Sequence, residues 1–60
     1  MIRIEYGYDR KARSWCIIAL DQEGNQLLSS YVGDLKGLES ELEFFQKEFK
    51  TTDVTKIPPY

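Results

Sequence analysis

The sequence has no histidine, a single cysteine, a single tryptophan, two prolines and four glycines. Without histidine, the familiar serine and cysteine nucleophile arrangements lose their base, and a conventional zinc site loses its ligands. One cysteine cannot close an internal disulfide, and a lone thiol fits a reducing cytoplasmic compartment. Cys16 sits in the apolar run "SWCIIAL" with no basic neighbour to activate it, and is expected as a small buried hydrophobe. No apolar run approaches the roughly 20 residues of a membrane span, and "MIRIEYGYDR" alternates instead of forming the apolar core of a signal peptide.

Other chemistries are missing too. No glycine-rich phosphate loop is present. The segment "DQEGN" differs from a calcium loop in its glycine position, and Val32 stands where a closing acid would be needed. Glu39 and Glu43 lie one helical turn apart, but Glu43 also precedes Lys47 by four residues, the spacing of a solvated ion pair. The expectation is a protein that is not an enzyme and holds no cofactor and no metal.

What is present is organised. Sixty residues make one domain, and a chain of that size buries only about 60% of the surface its unfolded form exposes, so its core is thin. Ile2, Ile4, Tyr6 and Tyr8 alternate with Arg3, Glu5 and Gly7, the period of a strand with one buried face. After the charged turn "DRKAR", the run "SWCIIAL" is apolar on both faces, Trp15, Ile17 and Ala19 on one and Cys16, Ile18 and Leu20 on the other. That is the pattern of a central strand. "DQEGN" is the strongest turn signal, and "QLLSSYV" reads as a third strand.

Gly33 ends that strand and Asp34 stands as an N-cap. Leu35, Leu38, Leu42, Phe45 and Phe49 then recur at spacings of three and four, within an arc of about 80° on a helical wheel. The helix fades near Lys50, before "TTDV" and "IPPY". The expected fold is α+β, a three-stranded antiparallel β-meander with one C-terminal amphipathic helix on one face. Residues 1–50 form the domain and residues 51–60 an extended tail, ordered through Val54, Ile57 and Tyr60 if it packs. One helix leaves half of the two-faced strand for the tail, a second copy or a partner to cover.

Phe44 breaks the helical stripe, standing nearly opposite it. With Gly37 and Ser40 it suggests a shallow outer groove ending in a ring and bordered by Glu41 and Glu48, a candidate interface with the tail near Ile57 and Pro58 or with another chain. A second candidate surface is basic. Residues 1–20 carry four basic residues against two acids, a net of +2, whereas residues 21–60 carry eight acids against four lysines. Arg10, Lys11 and Arg13, with Trp15 beside them, offer charge for phosphates and a ring for stacking. The acidic pI of about 4.9 weighs against nucleic acid.

Strand-strand-strand-helix order is similar to that of several unrelated small groups, among them antitoxins with a partial ribonuclease-H-like fold and some phage-encoded inhibitor proteins. The similarity is one of topology and transfers no residue role. The expected function is a small protein-interaction module that self-associates and acts as a regulator or inhibitor of a partner protein, phage and mobile-element types included. The alternative is single-stranded nucleic-acid binding through the first hairpin.

Overall fold

The computed structural model describes residues 1–58. They form strands β1 (Arg3–Asp9), β2 (Ser14–Leu20) and β3 (Gln26–Val32), helix α1 (Leu35–Phe49) and a short strand β4 (Val54–Lys56). The sheet order is β3-β2-β1-β4, with the first three strands antiparallel and β4 parallel to β1. The meander and its helix are as expected. The tail differs, because its first residues join the sheet instead of remaining outside the domain. Ile4 N–H donates to the Asp53 carbonyl at 2.8 Å, and Ile57 N–H donates to the Tyr6 carbonyl at 2.8 Å. Tyr60, expected to help order the tail, lies outside the described residues.

Both hairpins close on an aspartate. Asp9 Oδ1 accepts from the Lys11 and Ala12 N–H groups at 3.0 and 3.2 Å, and Arg13 completes that turn at φ 54°. Asp21 Oδ1 accepts from the Glu23 and Asn25 N–H groups at 2.9 and 2.8 Å, with Gly24 at φ 85°. The Asn25 N–H, ahead of the other donors, holds the Asp21 carboxyl below its ordinary value. Because the folded value is the lower one, this turn's contribution is present at neutral pH and is lost as pH falls through the folded value.

The core answers which face of the sheet the helix takes. Ile4, Ile17 and Ala19 from the sheet meet Leu38 and Phe45 from α1, ringed by Ile2, Tyr6, Trp15, Val32, Leu42, Phe49 and Val54. The helix therefore covers the Trp15–Ile17–Ala19 side and leaves Cys16, Ile18 and Leu20 on the other. It begins beside the end of β3, with Asp34 Oδ1 accepting from Gly37 N–H at 2.7 Å. It finishes beside the start of β1, where Thr51 Oγ1 donates to the Ile2 carbonyl at 2.7 Å. A diagonal path over the sheet follows from these two ends.

One residue of the apolar stripe departs from expectation. Leu35 is 63% exposed, whereas Leu38 and Phe45 are buried. The helix is rolled by about 30° from the centre of the apolar arc, toward Gly37. A Cβ at Gly37 would stand 3.2 Å from the Val32 Cβ, so the missing side chain is what lets α1 lie this close to β3. Leu35, in the first turn, is carried outward by the same roll.

Two substitutions test this framework. Lys50 ends α1 in the left-handed region at φ 50°, where a side chain is strained and glycine is not. Lys50→Gly is expected to stabilise the fold by about 1 kcal/mol in urea unfolding. At Gly7 a Cβ would meet the Ile57 Cγ1 at 2.7 Å and the Ile57 carbonyl oxygen at 3.1 Å. Gly7→Ala should therefore push the tail from β1, costing about 1–3 kcal/mol and opening β4 amides to hydrogen exchange.

Candidate interaction surfaces

The outer face of α1 is built around Phe44, which is 49% exposed and lies with its ring edge-on to Phe45 at a centroid distance of 6.0 Å. A shallow depression of about 280 Å³ beside it is lined by Ser40, Glu43, Phe44 and Lys47. Its rim carries the Glu43–Lys47 ion pair at 3.4 Å, the solvated pair expected from the spacing. Glu48 is exposed and Glu41 half-buried. Gly37 is not part of this depression, since it is turned to Val32. The tail also goes elsewhere. Ile57 packs on Gly7, and the alternation of β1 puts Gly7 on the face opposite Ile4 and the helix. Of the two contacts considered for Phe44, the one with Ile57 is thus ruled out by the path of the tail.

At the far end of β1 and β2 an aromatic corner forms. Tyr8 meets Trp15 edge-on at 5.3 Å, Tyr6 lies 6.4 Å from the same ring, and Lys56 Nζ sits over it at 5.8 Å. Trp15 is half-buried, whereas Arg10, Lys11 and Arg13 are exposed on the adjoining turn. Charge and rings are neighbours here, but Trp15 already has Lys56 on its face and two tyrosines beside it. Those contacts compete with the stacking of a base.

The third surface was only half legible. On the uncovered face of the sheet, Ile57, Gly7, Cys16 and Tyr31 fall in one row across β4, β1, β2 and β3, with Ile18 and Leu20 in the next rows. Cys16 is buried and its thiol is not paired. The Arg3 Nε–Glu5 Oε2 ion pair, at 3.0 Å, makes the β1 part of this face polar. β3 is different. A register shift between Ala19 and Leu20 makes Leu27 an extra residue, and Leu27, Leu28 and Tyr31 are all exposed, Leu28 opposite Ala19 on the helix side and Tyr31 opposite Cys16 on the uncovered side. Three of the six exposed large hydrophobics among the described residues thus lie on this one strand, and a fourth, Leu35, follows it closely. The two-faced pattern of β2 was visible in the sequence, but that β3 would stand at the edge of the sheet required the strand order.

Among the described residues there is no group of three or more potential metal ligands, and no helix is long and apolar enough to cross a membrane. No protein-family model matches the chain, and no match to it is found among curated proteins or solved structures.

Neighbouring phenylalanines on α1 give a paired test. Phe45→Asp buries an uncompensated charge at a fully enclosed position and is expected to abolish cooperative unfolding. Phe44→Asp should change stability by no more than about 0.5 kcal/mol, as judged by circular dichroism melts. Equal losses from the two variants would show that the outer ring is structural.

Proposed function

We propose that this chain is a small, non-catalytic protein-interaction module that self-associates and regulates or inhibits a partner protein, of a kind phages and mobile elements also carry. The observation that carries this reading is the gathering of exposed apolar side chains on β3 and at Leu35, in a chain whose described core has only six buried hydrophobic residues. The register puts Leu28 opposite Ala19 on the helix side and Tyr31 opposite Cys16 on the other, so this strand offers apolar side chains from both faces of the sheet, and such a concentration favours contact with another protein surface. Phe44, with Ser40, Glu41 and Glu48 around it, is the surface proposed for the partner. The absence of histidine and the burial of Cys16 support a role without catalysis in the cytoplasm.

A second reading has one observation behind it, the exposure of Arg10, Lys11 and Arg13 beside the Tyr8–Trp15 pair. Single-stranded nucleic acid would bind there through phosphate contacts and base stacking. The filled surroundings of Trp15 and the acidic pI favour the protein-interaction reading.

The only tryptophan in the sequence makes the distinction measurable. Titrating a mixed-sequence oligonucleotide of about 20 nucleotides against Trp15 fluorescence at physiological salt should leave the emission unchanged. Partner capture on immobilised protein should survive nuclease treatment and vary little with salt. Quenching that weakens steeply as salt rises, together with capture that nuclease abolishes, would replace this function with the second reading.

A further inference from the structure

We propose that Tyr6, Tyr8 and Trp15 form a binding site for an organic ammonium ion, the side chain of a lysine or a quaternary ammonium, and that the chain's own Lys56 fills it in this structure. The site goes beyond the interaction-module reading and does not depend on it. All four side chains lie on the helix side of the sheet, since Tyr8 is opposite Trp15, Tyr6 is opposite Ile17, and Lys56 is opposite Tyr6. The diagonal path of α1, from the end of β3 to the start of β1, leaves this corner of the sheet uncovered. The three rings are accordingly half-buried and not enclosed.

The occupant identifies the ligand class. Lys56 Nζ stands 5.8 Å from the centre of the Trp15 ring, close enough for the negative face of the ring to attract a cation. Among the described residues no carboxylate pairs with Lys56, although the sequence holds ten acids. The ammonium is held by a ring and not by an ion pair. The planes of Tyr8 and Tyr6 are inclined to that of Trp15 by 73° and 45°, at centroid distances of 5.3 and 6.4 Å. Rings set at such angles can line a cation on more than one side, as in the aromatic cages that take choline or methyl-lysine.

Lys56 is a replaceable occupant. It is exposed, and β4 is held by the Ile4 and Ile57 amides and by Ile57 packed on Gly7, none of which uses the Lys56 side chain. The side chain can leave the rings while β4 stays paired. A methylated ammonium has the advantage over it, because the compact lysine head is strongly hydrated and each methyl lowers the cost of leaving water. The surrounding charge gives the site a second signature. Arg10, Lys11 and Arg13 outnumber Asp9 on the adjoining turn, so a cation is repelled there and salt screens the repulsion. Ammonium binding should hold or strengthen as salt rises, the opposite of a phosphate ligand.

Proton NMR of the ligand methyl groups tests the proposal, because methyls held over an aromatic ring shift upfield. Tetramethylammonium and a short peptide carrying trimethyl-lysine are each titrated to about 50 mM, the range in which a small cation–π site binds, with the wild type, Lys56→Ala and Trp15→Leu. The shift at a given concentration should be several-fold larger with Lys56→Ala than with the wild type, because the tethered lysine no longer competes. It should vanish with Trp15→Leu, and where that variant does not fold, Tyr8→Leu should reduce it instead. Neopentyl alcohol, of nearly the same shape but without charge, should shift far less. Tighter binding of the peptide than of the free cation places the natural ligand on a protein segment, and equal binding places it among small quaternary ammonium ions; either supports the site. No shift with Lys56→Ala at the highest concentration overturns the proposal. So does an equal shift with neopentyl alcohol, a shift undiminished in whichever ring variant folds, or binding that weakens steeply as salt rises.

Discussion

A single helix can cover only one face of a sheet, and in this chain the contact between Gly37 and Val32 decides how it does so. Because Gly37 has no side chain, α1 settles against the end of β3 and crosses from there to the start of β1. That roll carries Leu38 and Phe45 into the core and leaves Leu35 and Phe44 outside it. It also commits Trp15, Ile17 and Ala19 to the interior, so that Cys16, Ile18 and Leu20 face the other way. What happens on the second face follows from what the helix does not reach.

The tail meets part of that need. Gly7, the one position in β1 without a side chain, makes room for Ile57, and this pairing helps to close the surface beside Cys16. The same segment puts Val54 against the core on the helix side and Lys56 over Trp15. A short strand thus contributes to both faces through successive residues, which is the natural consequence of its period of two. Small chains have few residues to spare, and here Thr51, Val54, Lys56 and Ile57, which read as parts of a tail, take part in the packing of the domain.

Most of the framework was legible in the sequence because it is locally encoded. Alternation in β1, the two-faced run of β2, the aspartates that begin both hairpin turns and the Asp34 cap all act within a few residues of themselves. β4 was not legible as a strand because three residues have no period of their own, and a parallel partner 50 positions away supplies the hydrogen bonds. The roll of α1 was missed for a related reason. A helical wheel gives the direction of the apolar stripe, but Gly37, read as a small outer residue, acts by what its absent side chain allows on the inner side. For the candidate surfaces, Phe44 and the basic turn could be located from spacing and composition alone. The exposure of β3 could not, since it depends on where the strand falls in the sheet.

That strand order gives the tail a further consequence. Without β4, β1 would form an edge of the sheet, with seven residues from Arg3 to Asp9 available for pairing. β4 occupies the backbone of β1 from Ile4 to Tyr6, and the Ile57 N–H extends the pairing by one further bond. It replaces a long edge with a short one that ends at Pro58. The tail therefore shields the backbone of β1 from further strand pairing as well as adding to the stability of the domain.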